Sequence, residues 1–253
     1  MLNELMALSE PGNNQDIDAF AKAMDQLRRA LADSPTQLAI LVEHMQTLDF
    51  DARAFHYITA ILQGLPDEKG YAAMQNAALQ LSQRSDDKSR QQFLHLVSNT
   101  YNAADNPEIL RTLVEIALYS DQRTYVKLDA LDLVMPFQIT GVERTQILNG
   151  LNGMLESADQ AEQGALVNHI LRFSNAEERA RMATNFINAE NDIELRYSVF
   201  DGIHSGTVPT SPMLKEQLFS IAKNPQDPLH EQAKHALMYV FDISNQEYQQ
   251  LKE

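Results

Sequence analysis

The stretch HEQAKH, His230 to His235, holds the residue types of a zinc helix, in which two imidazoles one turn apart close on an ion and a glutamate activates water. Its spacing is one residue too long. Histidines five apart diverge by about 140° around a helix, so no metal site is expected there, only an exposed pair near a helix start with His235 partly packed. The other histidines, His44, His56, His95, His169 and His204, fall one to a helix with no partner at ligand spacing. The chain has no cysteine, which removes disulfides, thiol catalysis and thiolate zinc sites. Nucleophile elbow, phosphate loop, dinucleotide fingerprint and calcium loop are all missing. No catalytic residue, metal or cofactor is therefore expected, and the balance is against an enzyme.

Two bases stand out for a different reason. Along SDQRTYVKLDALDLV, Val126, Leu128, Ala130, Leu131, Val134 and Met135 flank Lys127 on both sides of a helical arc, and Ile193, Leu195, Val199, Phe200 and Ile203 do the same around Arg196. An unpaired charge buried in such an arc costs several kcal/mol, so each base needs an acid. Asp121 and Glu190, six residues earlier, are the expected partners: an acid in the turn before a helix can cap its start and also reach a base one turn inside. These pairs are expected to specify the fold rather than to catalyse.

The bulk chemistry narrows the partners. With 253 residues, 44% of them hydrophobic, the chain can bury a real core. Thirty-five acids against twenty bases give a net charge of −15, which repels nucleic acid and anionic membranes and suits neutral or basic partners. No apolar run is long enough to span a bilayer, and the N-terminal residues lack the basic and apolar regions of a signal peptide. The expected location is the cytoplasm, or the periplasm if a leader precedes Met1.

Apolar residues recur at spacings of three and four almost throughout, without sustained alternation. This predicts about fourteen short helices between 15–32 and 244–252, with an extra turn at 2–8; Lys127 falls in a helix at 122–135 and Arg196 in one at 192–205. Ser34-Pro35, Asn106-Pro107 and Ser211-Pro212 read as helix starts, Pro136 as a stop, and Gly64, Gly141 and Gly206 as breaks. In ILNGLNGML, Gly150 and Gly153 sit among apolar residues at helical spacing, which suggests close helix packing.

Short helices with tight turns suit a bundle or a solenoid, and longer periodicity chooses. Val126, Lys127, Ala130, Leu133 and Val134 lie at the same offsets from Asp121 as Leu195, Arg196, Val199, Gly202 and Ile203 do from Glu190, 69 residues later. DPLHEQAKHALMYV from Asp227 keeps part of the pattern, and DQAEQGALVNHILRF from Asp159 has the length without the register. The arrangement resembles the HEAT repeat family, whose second helix follows an acid, a valine-base pair and a small residue. The resemblance implies an all-α, right-handed superhelix of helical pairs, with a ladder of acids and bases along the stack. It implies one continuous domain over 1–253, its N-terminal third less regular. Iron hydroxylases of that architecture use repeated histidine-glutamate pairs and its DNA glycosylases a basic aromatic surface; neither pattern is present.

The faces opposite the bases are then the binding candidates. They present Tyr125, Asp129 and Asp132 on the Lys127 helix, and Ser198 and Asp201, with His204 near the edge, on the Arg196 helix. The expected function is a non-catalytic scaffold or adaptor that holds a protein or peptide, basic by preference, along an elongated acidic surface through Tyr125, Asp129, Asp132, Asp201 and His204. The alternative is an enzyme or small-ligand-binding protein with its site in the concavity.

Overall fold

The computed structural model describes residues 17–251 apart from 67, 120 and 189, and these are all-helical, with no strand among them. Fourteen α-helices are seen: α1 Ile17–Ala32, α2 Pro35–Thr47, α3 Arg53–Gln63, α4 Lys69–Leu81, α5 Asp87–Ser98, α6 Pro107–Tyr119 and α7 Thr124–Asp132. There follow α8 Gly141–Leu155, α9 Gln160–Phe173, α10 Ala176–Phe186, α11 Ile193–His204, α12 Pro212–Ala222, α13 His230–Tyr239 and α14 Asn245–Gln250. The predicted turn at 2–8 lies outside the described residues.

Local chemistry starts these helices where the sequence expects. Ser34 accepts the Gln37 N–H with Pro35 in the first turn, Asn106 accepts the N–H of Glu108 at 3.0 Å, and Ser211 accepts that of Leu214 at 3.2 Å. Thr140 with Glu143, Asn175 with Glu178 and Ser244 with Glu247 form reciprocal capping boxes. The Thr140 N–H and hydroxyl donate to the Glu143 carboxylate and hold its pKa below the usual value. The Lys127 helix ends at Asp132, short of Pro136, which disfavours helical backbone before it. Gly206 follows α11 with φ +75, left-handed backbone that glycine adopts without a Cβ clash.

The chain divides into two compact units, one of residues through Ile116 with Asp132–Val134, the other of Ala117–Leu131 with everything from Met135. Within the first, α1 packs on α3 and α2 on α4, besides the sequential contacts from α1 through α5. Within the second, α9 packs on α11, α11 on α13 and α10 on α12, again besides sequential neighbours. Packing between helices two apart is the mark of stacked helical pairs. The less regular sequence of the N-terminal third still yields it in α1 to α4.

Each unit has its own apolar interior. In the first, Phe55, Ile58, Ile61 and Leu62 of α3 are fully buried at helical spacing, as are Met74 and Ala77 of α4. In the second, Val167, Leu171, Val199, Ile203, Leu218, Ala233 and Leu237 belong to one cluster. The position of the repeat pattern held by Ala130, Val199 and Ala236 is buried in all three matches. At Gly202, where the other match has Leu133, an added Cβ would come within 2.7 Å of a Val208 methyl, so the close packing there is local.

Gly150 and Gly153 depart from the expected close packing. Both are exposed on α8; a Cβ at Gly150 would make only ordinary contact with Leu118, 3.9 Å away, and one at Gly153 meets nothing. Packing does not require a glycine at either site. Gly153→Ala is therefore expected to stabilise the protein by about 0.5–1 kcal/mol, because alanine loses less backbone entropy in a helix. A shifted urea midpoint with an unchanged slope would show it.

Candidate functional site

The two bases that look alike in sequence have different surroundings. Arg196 is 3% exposed on α11 and its Nη2 donates to both carboxylate oxygens of Asp227, at 2.9 and 2.7 Å. Its Nε donates to the Ile187 carbonyl at the end of α10, and Asp227 Oδ1 also accepts the Leu229 N–H. The guanidinium thus ties together α10, α11 and the turn entering α13, and both carboxylate oxygens of Asp227 are hydrogen-bonded. The predicted partner Glu190 is exposed, and the acid used comes from the following match of the repeat pattern. Lys127 is only half-buried, and among the described residues its side chain makes no ion pair, with Asp121 or otherwise. A lysine stem can cover apolar surface while its ammonium reaches water, so no acid is needed.

Other bases also act on the main chain, Lys88 beside an exposed pair with Asp49. Lys69 donates to the last carbonyl of α1, Lys88 to the last of α2, Arg179 to Thr207 beyond α11, and Arg172 to Leu131. Carbonyls at helix ends carry unsatisfied negative partial charge, so cations placed there satisfy them. Of the acid-base ladder expected along the whole stack, the described residues show one buried rung, Arg196–Asp227, more exposed pairs such as Lys88–Asp49 and Lys215–Glu247, and base-to-carbonyl links.

All five predicted binding residues are exposed: Tyr125, Asp129 and Asp132 on α7, and Asp201 and His204 on α11. Ser198 is not; it is buried, and its hydroxyl donates to carbonyls of Gly164 and Glu194, fastening α11 to α9. Tyr125 and Asp129 are not immediate neighbours of Asp201 and His204, because the helices packed on α11 are α9, α10 and α13. The link to α7 runs through α9, whose Arg172 donates to Leu131. That places a base beside the last turn of α7.

A long concave surface of the first unit lies elsewhere, over α2 and α4. A groove of about 820 Å³ has Leu31, Leu38, Ala39, Val42, Ala72 and Ala73 as its apolar floor. Asn76 and Gln80 line one side, and Gln46 donates to Gln80 across it at 2.8 Å. The helices run in the same direction: the α4 start reaches the α1 end through Lys69, and the Gln46–Gln80 bond joins the later turns. From Pro35 to Gln46 the groove runs roughly 16 Å, three turns of helix. Lys69 and two helix starts mark one end, Glu43 and Arg84 the other. Sequence reading missed it because its residues are small and apolar, indistinguishable in the chain from a core.

The histidines are also less scattered than their spacing suggests. His56 of α3 and His95 of α5 meet edge to face with ring centres 5.0 Å apart, beside Phe50 and Phe55. Burial and then the nearby His56 hold the His95 pKa below the usual value. His204 of α11 meets His235 of α13 at 5.2 Å, and the Tyr239 ring lies against His235 with centres 4.4 Å apart, tilted by 39°. Within HEQAKH the expected burial is reversed: His230 is half-buried and bonded to the Asp227 carbonyl, whereas His235 is exposed. No group of three or more histidine or acid side chains placed to hold a metal ion occurs among the described residues. Nor is any described helix long and apolar enough to cross a membrane.

No protein-family model, curated protein or solved structure matches this chain.

Proposed function

We propose that the chain is a HEAT-like, right-handed repeat scaffold that binds a helical segment of a protein partner without catalysing a reaction on it. The observation that carries this reading is the groove over α2 and α4. Its alanine-rich floor allows close approach of a third helix, and its length matches three turns with anchors at i, i+3 and i+7. The polarity favours one direction. A partner helix antiparallel to α2 and α4 sets its own negative C-terminal end against Lys69 and the two helix starts. Aliphatic anchors with acidic residues after them are the chemistry that fits.

The exposed faces of α7 and α11, with Tyr125, Asp129, Asp132, Asp201 and His204, are the second reading, supported by the net charge of −15, and suit a basic partner. Because the chain has no cysteine, single cysteines carrying a photo-crosslinker separate the two. Crosslinks from Ala39→Cys and Ala72→Cys to an apolar helical segment, lost when Ala73→Trp fills the floor, support the groove. Crosslinks confined to Asp129→Cys and Asp201→Cys would move the site to the acidic faces.

A further inference from the structure

We propose that His204 and His235 form a two-ligand site for a divalent transition-metal ion that braces α11 against α13. The two rings come from different helices that pack directly on each other, so their backbones are already positioned. Both imidazoles are exposed, which leaves the outer coordination positions open to water. Their edge-to-face separation of 5.2 Å, tilted by 62°, is compatible with a shared ion. An ion about 2.0–2.1 Å from one nitrogen of each ring stands roughly 3.2 Å from each ring centre, and at a tetrahedral angle such centres lie roughly 5.2 Å apart.

Tyr239, packed at a tilt against His235 with ring centres 4.4 Å apart, restricts that ring and lowers the cost of ordering it. Imidazole ligands without thiolates select zinc, nickel or copper ions rather than magnesium or calcium. With two protein ligands the ion is exchangeable, which suits a brace that responds to metal supply. His56 and His95 are the internal comparison: a similar separation, but a half-buried His95 hemmed in by Phe50 and Phe55.

The test is calorimetric titration of the full chain with nickel and zinc ions, with thermal melts alongside. One ion per chain is expected, with affinity at least about tenfold weaker in His204→Ala and in His235→Ala and unchanged in His56→Ala. Nickel should broaden the ring NMR signals of His204, His235 and Tyr239, and should raise the melting temperature only when both histidines are present. Both substituted side chains are exposed, so the variants should fold. Absence of saturable binding up to about 1 mM, or binding that survives His204→Ala and disappears in His56→Ala, overturns the assignment.

Discussion

Arg196→Met is expected to destabilise the second unit by about 3–5 kcal/mol, one of the two largest effects of any single substitution here. The loss does not come from the ion pair alone. Removing the guanidinium strands the Asp227 carboxylate, 5% exposed, with only the Leu229 N–H among its hydrogen bonds, and leaves the Ile187 carbonyl without its donor. Three segments lose a common tie: the end of α10, the body of α11 and the turn before α13. The same logic gives a sharp second expectation. In Arg196→Met with Asp227→Leu, no charge remains to be stranded, and apolar replacements of buried pairs are often neutral. The double variant should recover most of the loss, and urea unfolding of the two singles and the double, as a cycle, measures it. A cost below about 1 kcal/mol for Arg196→Met would mean that water reaches Asp227 and that the pair is not a structural rung. Lys127→Met supplies the contrast: with the ammonium able to reach water and no acid to strand, it should change stability by less than about 0.5 kcal/mol.

Why the two bases differ shows what the sequence can carry. Helix positions follow from contacts within a few residues, so the serine and asparagine caps at Ser34, Asn106 and Ser211 and the apolar spacing inside α3 and α11 were legible. Partner choice is set by elements 31 residues away, where Asp227 meets Arg196. Nothing near Lys127 or Arg196 distinguishes them, since each follows an acid and sits in the same apolar arc. The histidine pair is hidden for the same reason: within HEQAKH the wrong spacing is plain, yet His235 takes its neighbour from the preceding stacked helix. Outward faces were legible where the side chain is long or charged, as at Asp129 and Asp201. They failed at Ser198, because a small hydroxyl can turn inward and bond to a backbone carbonyl as easily as face water. The groove needs tertiary packing to exist at all, since Ala39 and Ala72 become a floor only when α2 and α4 lie side by side.

Gly70→Ala is the other substitution expected to be severe, and it isolates the cost of close backbone approach from every electrostatic effect. Gly70 is buried in the first turn of α4, and a Cβ there would lie 1.6 Å from the carbonyl oxygen of Leu62, near the end of α3. A backbone oxygen cannot rotate away as a side chain can, so α4 must shift by more than an ångström relative to α3. The turn between them has little slack: Glu68 already takes a left-handed φ of 58, and Leu62, Met74 and Ala77 are fully buried around it. Overpacking of this kind costs about 1–3 kcal/mol when side chains absorb it and more when backbone must move, so a loss of about 3 kcal/mol or greater is expected. Intrinsic helix propensity works in the opposite direction, favouring alanine by about 1 kcal/mol, and it should prevail at Gly153, where nothing stands within 4 Å. The same glycine-to-alanine change should therefore have opposite signs at the two positions. Urea midpoints of the two variants decide it, and a neutral Gly70→Ala would show that the approach of α4 to the Leu62 carbonyl is looser than the contact implies. The wall of the groove moves with α4, so Gly70→Ala should also weaken partner crosslinking from Ala72→Cys, whereas Gly153→Ala should leave it unchanged.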